Sequence, residues 1–191
     1  CQIDCYIVPH SDEYQSEFLP PQSERLSWLT GFNGSAGIAF ILLDKAYLFV
    51  DGRYQLQVKN QVDSNLYEFR KLGAISPFLS IFQELCSGMN VGYDSRLHLL
   101  DDVDEFTKLS EAYNLTLIEV EDNLIDKIWL NKPNRKKNKI YHHNQIFSGI
   151  SCAEKLESLN KKLLLNNYEG YLISSPAALC WLYNIRGDDT P

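Results

Sequence analysis

The chain has 191 residues, 45% of them hydrophobic, 23% charged and 12% aromatic, enough for one globular domain with a well-formed core and part of a second. Eighteen basic residues against 25 acidic ones leave a formal charge of −7, and the basic ones gather in one short stretch, which excludes a general nucleic-acid binder. The longest apolar run, around residues 36–43, falls far short of the ~20 residues a helix needs to cross a bilayer, so no membrane is expected as a partner.

The N-terminus, Cys1-Gln2-Ile3-Asp4, has neither the basic start nor the apolar stretch of a secretory signal. It also lacks an initiator Met, the expected mark of a processed or trimmed chain. Cysteines at positions 1, 5, 86, 152 and 180 are odd in number and widely spaced, without a CxxC pair. Neither a disulfide framework nor a zinc site is implied, and free thiols in a reducing cytoplasm are expected. Asn33-Gly34-Ser35 and Asn114-Leu115-Thr116 match the glycosylation pattern, but without a secretory signal both are taken as chance.

Residues 5–8 form an apolar run closed by Pro9, consistent with a first strand, and residues 23–30 have helix-forming composition up to Gly31. The β-rich runs at 37–43 and 46–50, around Asp44-Lys45, predict a hairpin. Neither run alternates polar with apolar, which implies a sheet covered on both faces. Asp51 can cap a helix whose Tyr54, Val58 and Val62 share a face. Ser76-Pro77 opens another, with Phe78, Ile81, Phe82 and Leu85 on one stripe. Strands at 66–72, 90–93 and 115–120 alternate with these helices, the last two flanking a helix that carries Val103, Phe106 and Leu109. The fold expected for residues 1–130 is a three-layer α/β domain with a mixed sheet.

Residues 131–139 place Lys132, Arg135, Lys136, Lys137 and Lys139 around Pro133 with three asparagines and no aliphatic residue. That is the composition of a solvated linker. It has no aromatic platform or amphipathic stripe for RNA or lipid. In residues 140–191, Ser151 and Glu154 fit a capping box for a helix bearing Leu156, Leu159 and Leu163, and residues 171–174 predict the next strand. The two ends repeat weakly. Asp4-Cys5-Tyr6-Ile7-Val8 parallels Glu169-Gly170-Tyr171-Leu172-Ile173, and the stretch from Trp28-Leu29 to Gly34 parallels that from Trp181-Leu182 to Gly187. The second copy would therefore be cut off near its start.

Gly31-Phe32-Asn33-Gly34-Ser35-Ala36-Gly37 invites a phosphate-loop reading, but its GxxGxxG runs from a helix into a strand and lacks a terminal Gly-Lys-Ser/Thr. A tight turn with close backbone approach at Gly31, Gly34 and Gly37 fits better. Asp51-Gly52-Arg53-Tyr54 follows a buried strand at its carboxyl end, where α/β sheets place ligand contacts. There Arg53 either binds a carboxylate or makes a structural ion pair, with Asp51 as a cap. None of His10, His98, His142 and His143 has a partner at metal-ligand spacing. Asp101, Asp102, Asp104 and Glu105 sit where a helix begins and suit its dipole. Ser35 lacks a nucleophile elbow, so no catalytic constellation and no metal site is read in this chain.

Tyr6-Ile7-Val8-Pro9, Ser16-Glu17-Phe18, Ser23-Glu24-Arg25, the block from Trp28 to Gly37, and Phe49-Val50-Asp51-Gly52-Arg53-Tyr54-Gln55-Leu56-Gln57 together resemble the N-terminal region of Xaa-Pro aminopeptidases (aminopeptidase P). The resemblance continues through Gly149-Ile150-Ser151 and Lys155 to the block from Trp181 to Asp189. It implies two similar α/β domains of the creatinase/prolidase N-terminal type, with a ribonuclease H-like motif, ahead of a pita-bread metallopeptidase domain. It also implies a cytoplasmic homodimer acting on proline-containing peptides. Two divalent ions, commonly manganese, would be held by the third domain, where a bridging hydroxide attacks the bond before proline.

On the same resemblance the N-terminal domains help form the dimer and close the substrate groove. Arg53, Tyr54, Arg186 and Asp188 are then the candidates for substrate or interface contact, and Gly31, Gly34, Gly37, Asp51 and Gly52 for structural turns. Tyr14 stands where the family commonly has His. The competing expectations are a stand-alone binding or oligomerisation module and an unrelated small-molecule enzyme.

Overall fold

The computed structural model describes residues 2–187 and divides into two compact units, Cys1–Pro133 and Asn134–Pro191. In the first unit, strands β1 (Cys5–Pro9), β2 (Gly37–Leu42), β3 (Ala46–Val50), β4 (Tyr67–Lys71), β5 (Asn90–Tyr93) and β6 (Thr116–Glu119) form one sheet of order β4-β3-β2-β1-β5-β6. The β2–β3 hairpin and the β1–β2 pair are antiparallel. The β3–β4, β1–β5 and β5–β6 pairs are parallel, so the sheet is mixed.

Successive residues of a strand point to opposite faces, and here each face has its own core. Ile38, Phe40, Tyr47 and Phe49 join Cys5 and Ile7 on one side, under α3 (Pro77–Phe82) and α4 (Leu100–Tyr113). Ala39, Leu48 and Val50 join Tyr6 and Val8 on the other, under α1 (Arg25–Thr30), α2 (Gln55–Gln61) and α5 (Leu124–Ile128). This explains the missing polar alternation: odd and even positions alike find apolar cover. On the first face, edge-to-face contacts link Phe40 to Phe49 (5.7 Å), Phe40 to Phe78 (5.8 Å) and Phe78 to Phe106 (4.4 Å), each adding about 0.5–1.5 kcal/mol beyond burial.

The helix signals act locally, with shifted bounds. Ser76 Oγ accepts from the Phe78 and Leu79 amides, whereas the helix ends at Phe82 and leaves Leu85 to pack on the core from outside it. Asp51 caps only a 3₁₀ turn, Gly52–Tyr54, before α2 begins at Gln55. The helix predicted from Ser23 starts at Arg25, after a separate 3₁₀ turn at Pro21–Ser23. Asp102 accepts from the Leu99 amide at the start of α4, which puts the acidic run to work as a cap.

The second unit holds β7 (Tyr141–His142), α6 (Gln145–Ser148), α7 (Cys152–Leu165), α8 (Pro176–Tyr183) and β8 (Ile185–Arg186), with β7 and β8 antiparallel. The Ser151–Glu154 capping box is present. Lys155 is buried, its Nζ donating to the Trp181 carbonyl (2.7 Å) and Asn184 Oδ1 (2.6 Å) above the Trp181 ring. The predicted strand at 171–174 is not one: this stretch is irregular, with Tyr171 and Leu172 exposed. Its sequence suits a strand, but among the described residues no neighbour pairs with it, and an unpaired extended segment gains no ladder bonds.

Candidate functional site

At the carboxyl end of β1 the backbone of His10 donates to the Gly37 carbonyl at 2.9 Å, tying the strand's exit to the start of β2. The next loop is folded by Asp12, itself buried, whose carboxylate accepts from the amides of Tyr14 (3.0 Å) and Ser16 (2.9 Å). That local turn is the kind Asp forms readily. It brings Glu17 and Phe18 to a cleft of about 320 Å³ that His10, Glu24, Ser35, Tyr54 and Gln57 also line.

The glycine-rich turn forms the adjoining wall. Gly31 ends α1 in the left-handed region at φ 80°, its amide donating to the Ser27 carbonyl, a conformation that disfavours any Cβ. A Cβ at Gly34 would lie 2.3 Å from Cζ of the fully buried Phe32, and one at Gly37 would lie 3.1 Å from the Phe49 carbonyl. At Gly52 the nearest atom would be Cε of Lys71 at 3.0 Å, a flexible chain that can yield.

Residues of α2 and the turn before it staple this wall. Gln57 and Gln61 donate from Nε2 to Asn33 Oδ1 at 2.7 and 2.8 Å, and the Asn33 amide donates to Gln61 Oε1 at 3.2 Å. The Ser35 and Tyr54 hydroxyls share a hydrogen bond of 2.7 Å, which lowers Tyr54 from the usual phenol range. The Tyr54 ring meets Phe32 edge-on at 5.6 Å.

Of the residues singled out in the sequence, Tyr54 lines the cleft. Its neighbour Arg53 is 72% exposed and donates from its amide and its Nε, each at 2.9 Å, to Asp51 Oδ1. These bonds hold Asp51 below the usual carboxylate range. Tyr14 is half-exposed and is not among the cleft's lining residues. In the second unit, Arg186 Nη1 donates to the Ile185 carbonyl at 2.7 Å. Asp188 lies outside the described residues. Sequence reasoning weighed His10 only as a metal ligand, met Glu24, Asn33 and Gln57 only inside the family-like blocks and passed over Gln61; the fold brings them together from four separate segments. Among the described residues no group of His, Cys, Asp and Glu could hold a metal ion, and no helix is long and apolar enough to cross a membrane.

The Creatinase/Prolidase N-terminal domain family matches residues 2–128, and a second family of the same description matches residues 131–191. The chain belongs to the creatinase/prolidase N-terminal domain family, with one match on each side of residues 129–130. It is 33% identical to Probable Xaa-Pro aminopeptidase P of Coprinopsis cinerea over 193 residues, covering 98% of this chain and 30% of that protein. With the relative of the same name in Blastomyces gilchristii it shares 34% identity, covering 100% and 31%. The X-prolyl aminopeptidase of Caenorhabditis elegans, described as a cytosolic enzyme with a di-nuclear active site, superposes with a TM-score of 0.89 at 29% identity, covering all of this chain and 32% of that one. The chain thus spans about 30% of the length of the relatives it matches.

Proposed function

We propose that this chain is the N-terminal, non-catalytic part of a metal-dependent Xaa-Pro aminopeptidase, which removes an N-terminal residue that precedes proline. The observation that supports this reading is the match of the whole chain to about a third of the length of one X-prolyl aminopeptidase at a TM-score of 0.89. In this reading the two divalent ions, manganese by family resemblance, belong to a catalytic domain beyond these residues. Those ions would activate the attacking water. The part in hand supports a dimer and shapes the peptide groove, and the enzyme works in the cytoplasm, as the Caenorhabditis elegans relative is described to do.

The cleft and its rim are the surface offered for that work. Tyr54 is fixed by Ser35, and Arg53 lies exposed beside it, its Nε engaged by Asp51. A planar guanidinium held at one nitrogen keeps its outer N–H groups for a second carboxylate. The 191-residue chain is expected to leave Arg-Pro-Pro peptides intact and to bind no stoichiometric manganese. Extension into the catalytic region should restore release of the first residue. Within the extended enzyme, Arg53→Lys should lower kcat/KM or loosen the dimer while metal content stays normal. Manganese-dependent hydrolysis by the pure 191-residue chain would overturn the non-catalytic assignment, and wild-type kinetics and dimer dissociation in Arg53→Lys would remove Arg53 from it.

A further inference from the structure

The cleft at the end of β1 carries chemistry that groove-shaping alone does not require. Among the described residues two carboxylates, Glu17 and Glu24, line it, and no Lys or Arg does. Burial holds Glu24 above the usual carboxylate range, so a cation beside it would recover charge stabilisation lost to desolvation. His10 also lines the cleft, with an Nε2 that is buried and has no hydrogen-bond partner. A buried nitrogen left unsatisfied in a folded protein calls for an explanation. Burial lowers the imidazole from its ordinary range, with Asp12 opposing, which favours the uncharged ring, and a neutral imidazole carries one acceptor nitrogen. Phe18, 63% exposed, and the Tyr54 ring also line the cleft, offering apolar faces to the methylene stem of a basic group.

We propose that this cleft binds the alkylammonium or alkylguanidinium end of a short peptide, its charge matched by Glu17 and Glu24 and one of its N–H groups donated to His10 Nε2. Only the word peptide rests on the aminopeptidase reading. The cation site stands on the lining itself.

The test uses the 191-residue chain, with n-butylammonium and n-butylguanidinium as probes and n-pentanol as the neutral control, followed by NMR shifts of the His10 imidazole and the Gly34 and Ser35 amides. The cations should give saturable shifts at a concentration at least tenfold below that needed by pentanol. Glu17→Gln and Glu24→Gln, each with a dispersed amide spectrum, should each weaken cation binding at least threefold, while His10→Asn should weaken the cations and leave pentanol unchanged. Equal response to pentanol, or undiminished cation binding in either folded Gln variant, overturns the site.

Competition by peptides then identifies the source. Displacement by acetyl-Arg-Pro-Pro assigns the site to a basic side chain, and displacement by Ala-Pro-Pro with a free amino group assigns it to the amino terminus. If neither peptide displaces the probe, the peptide assignment is wrong. Loss of the cation site would leave the activity of the extended enzyme, measured separately, as the test of the aminopeptidase reading.

Discussion

Gly34→Ala inserts a single methyl group where the structure leaves no room for one. The new Cβ would stand 2.3 Å from Phe32 Cζ, 2.9 Å from Cε2 and 3.0 Å from Cε1, whereas carbon atoms in contact prefer about 3.5–4.0 Å. The ring end must therefore retreat by more than about 1 Å. It has nowhere to go: Phe32 is wholly buried in the core under α1 and α2, and its ring packs edge-on against Tyr54. Overpacking of this kind costs about 1–3 kcal/mol, and the tight contact with a buried ring places Gly34 toward the upper end. Gly73, where an added Cβ meets nothing within 4 Å, is the control, and Gly73→Ala should change stability by no more than about 0.5 kcal/mol. Urea unfolding followed by near-UV circular dichroism reads the difference, with an expected fall in midpoint of about 1 M for Gly34→Ala. In a Phe32→Leu background the same substitution should cost measurably less, because the pair couples through contact. An unchanged midpoint in Gly34→Ala, or an identical cost in both backgrounds, would refute the close-approach account of this turn.

Two further outcomes follow from the first unit and the connector. His98 is buried, its side chain 2% exposed, and burial pushes it down to about 4. Above the unfolded value of about 6.5 both states are neutral; below it the unfolded chain takes up a proton that the folded one refuses. Stability should therefore fall as pH drops from about 6.5 toward 4, by up to roughly 3 kcal/mol, and His98→Gln should flatten the pH dependence of the urea midpoint in that window. Residues 133–142 are all exposed, and 133–140 lack regular structure, so brief trypsin treatment should cut first between Arg135 and Lys139. A first cut inside residues 1–125, identified by mass spectrometry, would contradict this.

Most of the first unit was legible because its signals are local. Ser76-Pro77, Gly31 and the Asp44-Lys45 turn act within a few residues of themselves, and the apolar runs of β2 and β3 announced a doubly covered sheet. The misreading at 171–174 has the opposite cause, since a strand is made by its neighbour and sequence pattern cannot supply one. The brief β7–β8 pair was invisible for the same reason, its partners Tyr141 and Arg186 lying far apart in the chain. The cleft escaped because its parts are assembled by the fold. Asn33 and Gln61 are 28 residues apart, and His10 gives no hint in sequence that its Nε2 will be buried without a partner.

The position of β1 at the middle of its sheet sets an order of events as the chain is made. β2 and β3 can pair as soon as both have emerged, across a turn of a few residues. β1 can then add to β2, but its other edge waits for β5, where Cys5 pairs with Val91 and the Asn90 amide donates to Asp4 across 86 residues. Synthesis at about 5–20 residues per second leaves that edge unpaired for several seconds on the ribosome. An open strand edge is a template for other chains, so the nascent first unit is most exposed to aggregation in this interval. The joining of β1 to β5, with its long loop to close, is the step expected to limit the folding rate.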